Sequence, residues 1–286
     1  MNRIQFLRTA FAIASASLFP IMEAQANDDF SCWQPSKTTA AASAEYWTKD
    51  RRDKALSEDD ANNFVGGDND KLGDAERANI QDAPYKFGGK VFFTRGGQNF
   101  QASAQFVGDN NIVIAAAHSM FKADKQATNI AFYRGYENGG GTPFSFDQVA
   151  ILAAWKPVST DKPSFERAAL DYAVLRTTTP SDAGAFTLGI GPSFTDVTIM
   201  GYPGNLENGN LMYAQTSTKD QQVGNAFEVR PNAFLHGSSG GAWFVPQDGG
   251  FAAVSTVSGG TDIHLLGPAF TSKTQELIAF VKAGCK

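Results

Sequence analysis

Apolar residues along most of this chain fall in short alternating runs rather than at helical spacing. Residues 90–94, 100–107, 111–116, 130–133 and 149–155 each combine β-branched or aromatic side chains, and Gly96-Gly97, Gly108-Asp109-Asn110 and Gly139-Gly140-Gly141 punctuate them. Runs of this kind bounded by turn residues predict strands. After a less regular stretch, 177–189, a second set follows at 197–201, 211–217, 226–230, 241–245, 251–257 and 268–270. Many strands without intervening helices predict a barrel or sandwich, and the division into two sets predicts two barrels. At the C-terminus the period changes: Leu277, Ile278 and Val281 share a helical face, with Ser272 the expected N-cap and Gln275 three residues on.

The N-terminal part reads differently. Arg3 and Arg8 precede an apolar run, 9–22, and Ala24-Gln25-Ala26 has the form of a cleavage site, so residues 1–26 are expected to be a signal peptide. The run falls short of the ~20 residues a membrane span needs. Residues 33–83 carry Ala40-Ala41-Ala42, a charged run at 49–54, Glu58-Asp59-Asp60 and Asp68-Asn69-Asp70. So few apolar positions cannot bury a core of their own, which predicts a prosegment or a wrapping arm. Asp68-x-Asp70 with Gly73 and Asp74 departs from a calcium loop at Leu72, the fifth position, and at Asn79, the twelfth, so no metal is expected.

Charge narrows the partners. Without the signal peptide, 22 basic residues remain (24 less Arg3 and Arg8) against 28 acidic (29 less Glu23), a net charge of −6. That balance argues against nucleic acid, and against an anionic membrane once the signal is removed. The expected location is secreted or periplasmic. In such an oxidising compartment Cys32 and Cys285, the two cysteines of the chain, are expected to pair. Two free or intermolecular thiols are the alternative.

Three residue types in a particular order carry the candidate chemistry. His118 follows the apolar segment 114–117, Asp171 lies in Leu170-Asp171-Tyr172-Ala173-Val174, and Ser239 lies in Gly237-Ser238-Ser239-Gly240-Gly241. A serine hydroxyl is a weak nucleophile until an imidazole takes its proton and a buried carboxylate orients that imidazole. Glycines around the serine allow the sharp backbone that aims N–H groups at an oxyanion, with Gly237 and Ser239 the expected donors. The order His, Asp, Ser excludes the α/β-hydrolases, where Asp and His follow the serine, and the subtilisins, where Asp comes first. No cofactor is implied.

These motifs resemble those of the chymotrypsin-like serine peptidases, and Gly201-Tyr202-Pro203-Gly204-Asn205 is similar to a turn of their bacterial glutamyl endopeptidase branch. The likeness spans about residues 85–270. It implies an all-β fold of two antiparallel β-barrels with a C-terminal helix. The expected boundaries are a signal peptide at 1–26, a prosegment or arm at 27–83, a first barrel at 84–176, a linker at 177–188, a second barrel at 189–270 and a helix with its tail at 271–286. It also implies an endopeptidase acting on a polypeptide substrate through an acyl-enzyme, with substrate contacts from Ala233, Phe234, His236, Val257, Ser258 and Gly259. Ala233 stands where trypsins carry a pocket-floor carboxylate. Phe234 and Val257 stand where glutamyl endopeptidases carry threonine and histidine, so an apolar pocket is expected. Ser238 replaces the aspartate with which trypsins bind a new N-terminus, and that activation switch is not expected. His264 is expected to be structural. An inert binding module on the same fold and an esterase with the same triad remain as alternatives.

Overall fold

A computed structural model of the chain describes residues 28–35, 40–57, 64–65, 73–158, 163–191, 193–261 and 263–286. The expected signal peptide and the Asp68-x-Asp70 segment lie outside the described residues. Six strands close into a barrel: Gly88–Arg95, Gln98–Phe106, Ile112–Ala115, Ala173–Thr177, Gly140–Leu152 and Thr128–Glu137, each antiparallel to the next and the last to the first. Because side chains alternate along a strand, Val91 and Phe93 join Ala104, Phe106, Val113, Phe132, Ile151 and Leu175 in one apolar core. Phe92 takes the other face, with Ile114, Tyr133 and Val174, in a second core that also contains Met200, Phe244 and Phe270 from the other half of the molecule. The first barrel is thus buried on two sides, and the shared core holds the halves together.

The second half is a curled sheet rather than a fully laddered barrel. Its order runs Gly250–Thr256, Ala242–Gln247, Asp196–Gly201, Tyr213–Val223, Ala226–Arg230, Leu265–Pro268 and Gly259–Thr261. Its outer strands approach through two backbone bonds, Ser258 N–H to Leu266 O at 2.9 Å and Phe270 N–H to Val254 O at 3.2 Å. A continuous ladder stops there because residues 257–258 leave the strand to meet the first barrel. Phe194, Ile199, Phe227, Phe234, Trp243 and Val257 fill the interior of this half.

The described segments within residues 28–83 form a strap over both halves. Phe30–Trp33 pairs antiparallel with 149–152, and Cys32 bonds to Cys285 with 6.4 Å between Cα atoms. Helices Ala40–Tyr46 and Lys49–Asp53 flank Trp47, which is fully buried and donates its indole N–H to Asn129 O at 2.5 Å. Leu56–Ser57 adds in parallel to the first barrel at Phe100–Gln101, Phe64–Val65 in parallel to the second half at Gly260–Thr261, and Glu76–Arg77 antiparallel at Tyr213–Ala214. The described strap residues Phe30, Trp47, Ala55 and Ala78 are buried in the core shared by the two halves. The C-terminal helix is Ser272–Lys282, capped by Thr271 instead of Ser272. The Thr271 hydroxyl accepts from Lys273 N–H at 3.2 Å, and Thr271 N–H donates to Thr274 Oγ1 at 3.1 Å.

Candidate active site

The strand register brings the histidine and aspartate together. Ala115 pairs with Ala173 in antiparallel strands, so the residue three beyond the first and the residue two before the second emerge at the same end of the barrel. His118 sits on a single helical turn, Ala117–Met120. Asp171 is the C-cap of a short helix, Phe165–Leu170, and precedes its strand rather than lying in it. That helix breaks the strand pattern because Ser164 caps it, its hydroxyl accepting from Arg167 N–H at 3.1 Å.

The Asp171 carboxylate is fully buried with both oxygens engaged. His118 Nδ1 lies 2.7 Å from Oδ2, His118 backbone N–H donates to Oδ1 at 2.8 Å, and Ser258 Oγ donates to Oδ2 at 2.5 Å. Burial by itself would raise the carboxyl, but the adjoining His118, the nearby Arg167 and the Ser258 hydroxyl outweigh it and hold Asp171 below its ordinary value. It is therefore an anion at neutral pH, suited to keep a proton on Nδ1. His118 Nε2 is buried and makes no hydrogen bond among the described residues.

The serine loop is fixed by both halves of the molecule. Ser103 N–H donates to Ser239 O at 2.9 Å, Ser103 Oγ donates to Gly237 O at 2.9 Å and accepts from Tyr202 N–H at 2.9 Å. Gly240 N–H donates to Val257 O at 2.8 Å, and Ser238 Oγ donates to Leu235 O at 2.7 Å. Among the described residues, the N–H groups of Gly237 and Ser239 are not among the donors that tie the loop down. Gly240 has φ +82°, and a Cβ there would come within 2.3 Å of Ser103 O and 2.8 Å of Ala116 N. Only glycine lets the serine loop press onto the segment that leads to His118.

The remaining sequence-predicted residues are distributed around this cluster. Ser258 meets Asp171 directly, and Gly259 begins the strand that follows it. Ala233 is buried, Asn205 Nδ2 donates to its carbonyl at 3.0 Å, and His236 is half-buried with its carbonyl accepting from Gly204 N–H at 2.6 Å. Phe234 and Val257 have no exposure and belong to the interior of the second half. Ser239 itself is 3% exposed and His118 0%.

Two contributors escaped the sequence reading. Ser103 sits in the strand run Ala102-Ser103-Ala104, where a small polar residue between alanines carries no chemical signal, and Arg167 sits on the unforeseen helix. Away from this site, Asp220, Glu228 and His264 bring ligand-type atoms within 4.8 Å of one another. A bulge between Lys219 and Gln221 turns Asp220 toward Glu228. His264 Nδ1 lies 3.3 Å from Glu228, and Arg230 pairs with Asp220 at 2.8 Å, so the cluster already has its cation.

No family model matches the chain, and no curated protein matches it. Solved structures do. A Glu endopeptidase is 19% identical, with TM-score 0.60, over 77% of this chain and 100% of that one. The protease Anisep from Arthrobacter nicotinovorans is 20% identical, with TM-score 0.59, over 74% and 100%. A thermostable serine protease from an extremophilic microorganism is 23% identical, with TM-score 0.58, over 69% and 97%. The chain therefore has the chymotrypsin-like all-β fold of serine proteases, and the expected architecture holds, with a closed six-strand barrel and a curled second sheet.

Proposed function

We propose that this chain is a serine endopeptidase, exported by its N-terminal signal, that cleaves polypeptides through Ser239, His118 and Asp171. The observation that carries the reading is the buried Asp171 carboxylate, bonded to His118 Nδ1 at 2.7 Å and to Ser258 Oγ at 2.5 Å. A carboxylate so held fixes the imidazole with its proton on Nδ1 and leaves Nε2 as the base. Ser239 Oγ attacks the scissile carbonyl carbon as His118 Nε2 accepts the hydroxyl proton, and Asp171 stabilises the imidazolium. The Gly237 and Ser239 N–H groups are the donors for the oxyanion. His118 then returns the proton to the leaving amine, and water attacking the acyl-enzyme with the same base restores the serine. Nε2 has no hydrogen-bond partner among the described residues, and catalytic hydrogen bonds commonly tighten only with substrate in place.

The fold shared with serine proteases and the disulfide support an extracytoplasmic peptidase. The test is Ser239→Ala: it is expected to remain folded, to lose labelling by a fluorophosphonate probe, and to lose casein hydrolysis by roughly 10³-fold or more. Undiminished labelling in that variant would remove Ser239 from the role.

A further inference from the structure

Ahead of the nucleophile the chain runs through residues 233–235 without joining a strand, yet each main-chain polar group there has a partner. Ala233 N–H donates to Gln215 Oε1 at 2.6 Å, and Ala233 O accepts from Asn205 Nδ2 at 3.0 Å. Phe234 N–H donates to Asn232 Oδ1 at 2.7 Å, and Phe234 O accepts from Asn232 Nδ2 at 2.8 Å. Leu235 N–H donates to Asn205 Oδ1 at 3.1 Å, and Leu235 O accepts from Ser238 Oγ at 2.7 Å. Carboxamides take the place of a neighbouring strand here because each carries donors and an acceptor together.

Asn232 also reaches beyond this segment. It has no exposure, and its Nδ2 donates to Thr261 O at 2.7 Å as well. Gly237, a proposed oxyanion donor, lies two residues beyond Leu235. Thr261 ends the strand Gly259–Thr261, which follows directly on Ser258, whose hydroxyl holds Asp171. One side chain therefore joins the segment that enters the serine loop to the strand that leaves the Asp171 contact. Beyond Ser239 the same two stretches are tied by main-chain bonds, Gly240 N–H to Val257 O at 2.8 Å and Val257 N–H to Gly241 O at 2.9 Å. Ala233 and His236 on one stretch, and Ser258 and Gly259 on the other, are residues expected to meet substrate. The separation of the stretches is then the width open to a substrate side chain. We propose that Asn232, braced by Asn205, is a positioning residue of the peptidase that sets this separation, and with it the choice of side chain next to the scissile bond. This rests on the peptidase reading above.

The test separates the local bonds of Asn232 from the distant one. In Asn232→Ser the hydroxyl can still accept from Phe234 N–H, as serine does in turns, but it is too short to reach Thr261 O. Asn232→Ala loses both, and Asn205→Ala, at an exposed side chain, loosens residues 233–235 from the other side. Each variant is given fluorogenic peptides that differ only in the residue preceding the scissile bond, and is read as the ratio of kcat/KM between peptides. That ratio cancels the amount of active enzyme, so partial unfolding leaves it unchanged. Ser239 labelling by a fluorophosphonate probe and urea unfolding are followed alongside. The ratio between the native chain's best and poorest peptides is expected to shift roughly fivefold or more in Asn232→Ser and Asn232→Ala, and less in Asn205→Ala, with Ser239 labelled in each. Ratios within about twofold of the native ones in every variant that folds would overturn the positioning role and leave the peptidase. A native chain that neither labels at Ser239 nor cleaves any peptide would overturn the peptidase reading, and the positioning role with it.

Discussion

Lys90 is the most unusual single residue outside the catalytic cluster, a lysine with 1% exposure in a strand of the first barrel. Its Nζ donates to Gly209 O at 2.6 Å and lies 4.8 Å from the Tyr136 ring, with Phe92 and Tyr202 within 6 Å. Burial pushes its pKa down to about 7, against a weaker opposing pull from Asp53. The unfolded chain keeps that proton up to about 10.4, so between these values the unfolded state binds the extra proton and stability rises with pH. The cost of burying the charge is fully present below about pH 7. Lys90→Met is expected to flatten this dependence: urea unfolding at pH 7 and pH 9 should show the native chain gaining on the variant as pH rises. Asp171, also shifted downward, gives a slope of the same sign, but in the acidic range and as a gain rather than a relieved cost. Its carboxyl is held below the ordinary value, so its contribution is complete at neutral pH and is lost only as pH falls through that lowered value.

At the scale of elements, the alternating pattern locates most strands but misjudges their ends where two signals compete. Gly139-Gly140-Gly141 reads as a turn, yet the strand Gly140–Leu152 begins inside it, because Gly141 at φ +131° sits against Arg134 O and Tyr136 where a side chain would crowd. The helix Phe165–Leu170 is too short for periodicity to register. His118, Asp171 and Ser239 can be proposed from the sequence because their residue types and order are chemically restrictive; Ser103 and the Asp171 bond of Ser258 depend on contacts distant in sequence. The strap's pairing was hidden for the same reason, since Trp47 is one apolar residue in a polar stretch whose partners come from the barrel. The C-terminal helix offers a local test. Removing the Thr271 hydroxyl by Thr271→Ala is expected to cost about 1 kcal/mol, read as a lower urea midpoint with an unchanged m-value.

For the whole molecule, the proposed function depends on two halves that each supply part of one candidate site. Asp171 and His118 come from the closed barrel, Ser239 and Ser258 from the curled sheet, and Ser103 on the barrel holds the serine loop. No helix among the described residues is long and apolar enough to cross a membrane. Stability has an additional covalent source. The Cys32–Cys285 bond joins residues 253 apart, and the chain-entropy account gives about 5 kcal/mol for a loop of that size. Cys32→Ser is expected to lower unfolding free energy by up to about that amount, measured by denaturant titration without reductant.

The same bond makes the protein, from Cys32 to Cys285, a covalent circle. Any one break in the backbone of a circle opens it without dividing it. A single nick by another protease would leave the apparent mass on a non-reducing gel intact, and two bands would separate only after thiol treatment.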